Sequence, residues 1–113
     1  MKIGRLTLSD RAARGIYEDL SGPEIDTLLS REFLDESPEI TSLVLEDDQH
    51  SITNALKTLA DIEHCDLVVT TGGTGPGKRD VTPEATRAIL DKELPGFGEI
   101  MRVQSFTLSL IHI

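Results

Sequence analysis

Leu67-Val68-Val69-Thr70-Thr71 runs without a break into Gly72-Gly73-Thr74-Gly75-Pro76-Gly77. A continuous apolar, β-branched run with no polar alternation reads as a strand covered on both faces, the pattern of a central strand in a parallel sheet. Four glycines and one proline in six positions can continue neither a strand nor a helix, so the chain turns there. That pair of features commits the fold, because parallel neighbours need long crossover connections and these are usually helices.

The rest of the chain supplies the alternation. Ile3, Leu6 and Leu8 predict a first strand closed by Ser9-Asp10, and Ile40 to Leu45 a second that ends in Glu46-Asp47-Asp48. Between them, Ser21-Gly22-Pro23-Glu24 has capping-box spacing, and Ile25, Leu28, Leu29 and Phe33 recur at helical intervals until Pro38. A second helix opens on an aspartate of the acidic turn and carries Ile52, Ala55, Leu56 and Leu59. A third opens with Thr82-Pro83-Glu84 as cap and first turn, runs through Leu90 and stops by Leu94-Pro95-Gly96. Residues 97–104 fit one more helix, and Phe106-Thr107-Leu108-Ser109-Leu110 alternates like a strand. The order predicts one α/β domain over residues 1–113: a mostly parallel sheet with helices on both faces and Leu67–Thr71 at its centre.

Composition bounds the function. With 38% hydrophobic, 27% charged and only 4% aromatic residues, the chain reads as a globular domain with an aliphatic core. A net charge of −9 disfavours general nucleic-acid binding but not a small phosphorylated ligand met by local cations and backbone amides. Cys65 is the lone cysteine, so no intrachain disulfide forms. The N-terminus lacks a signal-peptide layout and no apolar run is long enough to span a bilayer, so the expectation is a cytoplasmic protein with no membrane role.

Ligands of open parallel sheets bind beyond the carboxyl ends of the strands, where three loops fall here. In the third, successive glycines let backbone N–H groups converge on an anion, Thr71 and Thr74 add hydroxyls, and Lys78 and Arg79 add charge. It is not a P-loop, since Arg79 stands where Ser or Thr must ligate magnesium. Nor is it a dinucleotide fingerprint, because Lys78 occupies the place of the third glycine. Asp10, Asp47 and Asp80 each stand at or just past a strand end, where two or three carboxylates can hold a hard cation such as magnesium. Helix capping for Asp47 and turn chemistry for Asp10 are the competing readings. No histidine or cysteine spacing suits zinc, Cys65 reads as a small buried hydrophobe, and the scattered acids Glu18, Asp19, Glu32, Asp35, Glu36 and Glu39 read as a solvated face.

Ser9-Asp10-Arg11-Ala12 with Gly15, Tyr17 and Asp19, then residues 70–76, 79–86, 95–99 and 101–102, resemble the bacterial molybdopterin adenylyltransferases, in order and over residues 3 to about 105. The resemblance implies a three-layer α/β fold, usually a homotrimer. It also implies use of ATP and Mg2+ to place AMP on the terminal phosphate of molybdopterin, with release of pyrophosphate. Asp47 and Asp80 match the family's catalytic and metal-holding aspartates. Ser9, Asp10, Thr71, Gly72, Gly73, Thr74 and Gly75 fall in its substrate-binding motifs. Residues 106–113 do not match the family's continuation, a further strand, loop and helix, which leaves a non-catalytic truncated fragment or a pterin- or nucleotide-binding accessory subunit as the alternative.

Overall fold

The computed structural model describes residues 1–16 and 18–112, the last four of these by backbone alone. Tyr17 of the first motif therefore lies outside the described residues. Strands β1 (Lys2–Leu8), β2 (Glu39–Leu45) and β3 (Leu67–Thr71) form one parallel sheet in the order β2-β1-β3. Leu8 pairs with Leu45 and Thr7 with Thr71, so the three carboxyl ends finish side by side. The helices are α1 (Asp10–Ala13), α2 (Ser21–Glu32), α3 (Gln49–Lys57), α4 (Thr82–Arg87) and α5 (Pro95–His112), with a π-helical turn over Thr58–Ile62.

The central strand is β1, not β3. Every residue from Ile3 to Leu8 is buried, whereas β3 is half-buried at the edge of the described sheet. Alternation along β1 serves two helical layers. Leu6 and Leu8 pack with Ile52, Leu56, Leu59 and Ala85, and Gly4 lies under Leu59. Arg5 and Thr7 face the opposite way, toward α2. Helices thus cover both faces, as expected.

The polar residues of β1 disguise its position, because their partners are distant in sequence. Arg5, 4% exposed, donates to both Asp26 oxygens at 2.9 Å, to Asp19 at 3.2 Å and to the Thr7 hydroxyl at 2.6 Å. Thr7 in turn donates to Asp19 at 2.8 Å. A cation in the middle of a covered strand is tolerable only with such carboxylates around it. Asp19 is therefore no part of a solvated face. Its other oxygen accepts from the Gly22 N–H at 2.9 Å, so Asp19, rather than Ser21, caps the start of α2.

Two further expectations change at the C-terminal end. Helix α4 ends at Arg87 and unwinds through a turn to Leu90. Residues 106–110 form no strand; they continue α5, where Thr107 Oγ1 donates back to the Val103 carbonyl at 3.1 Å. A strand there would need a neighbour's backbone to pair with, while a helix satisfies its own N–H and C=O groups. The helix is apolar around much of its circumference, with Phe97 73% and Phe106 66% exposed.

Candidate functional site

The three predicted loops do converge. Beyond β1, the Ser9 N–H extends the ladder to the Leu45 carbonyl at 2.9 Å, and its hydroxyl caps α1 by accepting from Ala12 N–H at 3.3 Å. Asp10 and Asp47 then bond reciprocally: the Asp10 N–H donates to Asp47 Oδ2 at 3.0 Å and the Asp47 N–H to Asp10 Oδ1 at 2.9 Å. Capping of α3 belongs to Asp48, which accepts from the Ser51 N–H and hydroxyl at 2.9 and 2.7 Å. Asp47 is thereby released from the capping role.

The third loop is folded back on the first two. Gly72 and Gly73 have φ of +92° and +67°, in the region that L side chains avoid. A Cβ on Gly72 would strike the Leu8 carbonyl, and one on Gly73 would strike the Thr82 hydroxyl and come within 3.1 Å of Asp47 Oδ1. Thr82 is buried and does not cap α4; its hydroxyl donates to the Gly72 carbonyl at 2.9 Å and its N–H to the Gly73 carbonyl at 3.1 Å. The loop's two ends are stapled together this way. Asp80 Oδ2 accepts from the Gly77 N–H at 3.0 Å and lies 2.9 Å from where a Cβ on Gly75 would sit. Thr74 is exposed at the tip. Thr71, Gly72 and Ser9 line a cavity of about 290 Å³ on the α2 side with Thr7, Asp19 and Ser21.

The charges of the site are unequal. The Arg79 guanidinium, first, and the Asp47 N–H, second, hold the Asp10 carboxyl down to about 2. Burial pushes the Asp47 carboxyl upward; the Asp10 N–H opposes this, and the negative charges of Asp10 and Asp80 add to it. Asp47 Oδ1 is buried with no hydrogen-bond partner. Among the described residues no group of three His, Cys, Asp or Glu side chains could hold a metal. Magnesium does not require one, because it commonly binds through one or two carboxylates while keeping water and substrate oxygens. The orphaned Asp47 oxygen and the Asp80 carboxylate fit that donor set.

Two features escaped the sequence reading. Arg79 is spent on Asp10, donating to both of its oxygens at 3.0 and 2.9 Å, and is not a free cation awaiting an anion. The Arg5 network was signalled only by an arginine inside an apolar strand. Cys65 is half-buried beside the core, where burial raises its thiol pKa, and His50 and His64 are exposed.

Residues 4–109 match the family described as "Probable molybdopterin binding domain". The molybdopterin adenylyltransferase of Helicobacter pylori J99 is 52% identical over 103 residues, covering 91% of this chain and 58% of that protein. The molybdopterin adenylyltransferase of Escherichia coli K12 is 45% identical over 102 residues, covering 90% and 52% respectively. Among solved structures, the tungsten cofactor synthesizing protein MoaB from Pyrococcus furiosus has a TM-score of 0.80 at 40% identity, covering 94% of this chain and 62% of that one. The chain spans a little over half the length of these curated relatives. With a match that passes through all three loops and nearly the whole of its length, the chain belongs to the molybdopterin-binding domain family.

Proposed function

We propose that this chain is the substrate-binding part of a molybdopterin adenylyltransferase, which transfers AMP from ATP to the terminal phosphate of molybdopterin and releases pyrophosphate. One observation carries the reading: at the carboxyl ends of the strands, a buried carboxylate oxygen of Asp47 is left without a partner beside the backbone of Gly73. The names of relatives 45–52% identical support it.

A terminal phosphate oxygen of molybdopterin attacks the α-phosphorus of ATP, a new P–O bond forms, and the α–β bridging bond breaks with its electrons leaving on pyrophosphate. The step needs positioning and charge neutralisation more than a covalent nucleophile. In this reading the amides and hydroxyls of Thr71, Gly72, Gly73, Thr74 and Gly75, with Ser9 and Asp10, bind and orient the substrates. Asp47 and Asp80 would hold Mg2+, which when bound offsets the triphosphate charge. Residues 1–113 act as one domain of a cytoplasmic protein that is a homotrimer at full length. Its partners are small molecules rather than nucleic acid, consistent with the net charge of −9. Among the described residues no helix is long and apolar enough to cross a membrane.

Pyrophosphate release from ATP and Mg2+, with and without molybdopterin, tests the reading. Release that depends on molybdopterin, and that falls on the order of a hundredfold in Asp47→Asn and Asp80→Asn, is the expected result. Tight ligand binding with no release would instead favour a binding subunit that does not turn over.

A further inference from the structure

Arg79 donates from Nε to Asp10 Oδ2 at 3.0 Å and from a terminal nitrogen to Asp10 Oδ1 at 2.9 Å, across 69 residues of sequence. Asp10 Oδ1 also accepts the Asp47 N–H, and the Asp10 N–H returns a bond to Asp47 Oδ2. A continuous path of hydrogen bonds thus runs from the third loop through the first to the second. It ties one oxygen of Asp47 and leaves the other, Oδ1, buried and unpartnered. A guanidinium fork fixes the plane of a carboxylate as well as its distance, which an ammonium cannot do. Asp80 is the next residue after Arg79, so holding Arg79 also holds the backbone that carries Asp80. Such an ion pair, with the Arg79 side chain 60% exposed, contributes little to global stability, so its effect lies in local geometry.

We infer that Arg79 is a positioning residue: clamped on Asp10, it sets the orientation of the Asp47 carboxylate and brings Asp80 to the same cleft, and it is not a ligand of the substrate phosphates. The purpose of this arrangement rests on the proposed adenylyl transfer; the arrangement itself does not.

The test uses the 15N-labelled 113-residue chain with Arg79→Lys and Arg79→Gln. The Asp10 and Asp47 amides report the clamp, and the Gly22 and Ser51 amides, bonded to Asp19 and Asp48, serve as controls. Both variants are expected to speed exchange at Asp10 and Asp47 by about tenfold and leave the controls unchanged. Unchanged exchange at Asp10 and Asp47, or an equal rise at all four amides, overturns the assignment. In pyrophosphate release, both variants are expected to lower kcat with KM for ATP unaltered. A raised KM alone, rescued by lysine, would make Arg79 a phosphate ligand and also overturn it. If no form releases pyrophosphate while the amide effect is present, the clamp stands and the adenylyl-transfer reading falls.

Discussion

Replacing Gly73 by alanine imposes two costs that a second glycine separates. The first is conformational: holding a residue with a Cβ at φ +67° costs roughly 1–2 kcal/mol. The second is steric, since the new methyl takes the place of the Thr82 hydroxyl, which must leave the Gly72 carbonyl. Thr82 is 4% exposed, so no water replaces the lost bond, and leaving buried groups unpaired costs about 1–3 kcal/mol. Gly73→Ala is therefore expected to lose about 3 kcal/mol. Gly15 has a similar φ of +74° with nothing within 4 Å of its would-be Cβ, so Gly15→Ala should lose only the conformational part, about 1 kcal/mol. In urea titrations followed by circular dichroism, slopes of about 1–3 kcal/mol per molar give midpoint shifts roughly threefold larger for Gly73→Ala. In a Thr82→Ala background most of the excess should vanish, because the colliding hydroxyl is gone and only the 3.1 Å approach to Asp47 Oδ1 remains. Equal shifts for the two single variants, or an excess undiminished by removal of Thr82, would refute the packing argument for the loop.

Arg5→Met should destabilise by about 2–4 kcal/mol in the same titration, because Asp19 and Asp26 keep their partly buried charges without a cation, and Arg5→Lys should restore only part. Stability should also fall as acid is added. Asp10 is held to about 2, chiefly by Arg79; Asp26 is lowered chiefly by Arg5; for Asp19, burial acts upward but is outweighed by the Gly22 N–H, Thr7 and Arg5. A depressed folded-state value stabilises above the ordinary value of 3.8 and is lost below it, so urea midpoints should drop as pH falls from about 4 toward about 2. Asp47, raised by burial, gains stability as pH falls toward 3.8 and changes nothing below it, so a midpoint that rose between about pH 4 and about 2 would contradict the balance. Finally, the exposed apolar face of α5 should make the 113-residue chain associate as concentration rises in sedimentation velocity, and the double change Phe97→Glu and Phe106→Glu should reduce that association.

What was legible in the sequence follows the range of the forces involved. Elements set by neighbours in sequence were readable: the β-branched run of β3, the stripe of α3 and the glycine loop all rest on patterns within a dozen residues. Which aspartate caps the helix was not readable from local pattern, because Asp47 and Asp48 are equivalent as letters, and it was the family resemblance that singled out Asp47. Only the bond from Ser51 assigns the cap to one, and only the bond from Asp10 assigns the cleft to the other. Asp19 looked like one more surface acid for the same reason, since its partners Arg5 and Thr7 lie on a strand before the loop that carries it. The misplacement of the sheet's centre has the same origin. Hydropathy ranks β3 above β1, yet Arg5 and Thr7 can lie inside because α2 brings the carboxylates that satisfy them. The strand expected at residues 106–110 failed on the complementary ground: its alternation was real, but a strand requires a neighbour's backbone and a helix does not. In this chain, then, polar residues decide both where the central strand lies and which buried carboxylate oxygen is left without a partner. Their roles are set by pairings such as Arg79 with Asp10, which no local pattern encodes.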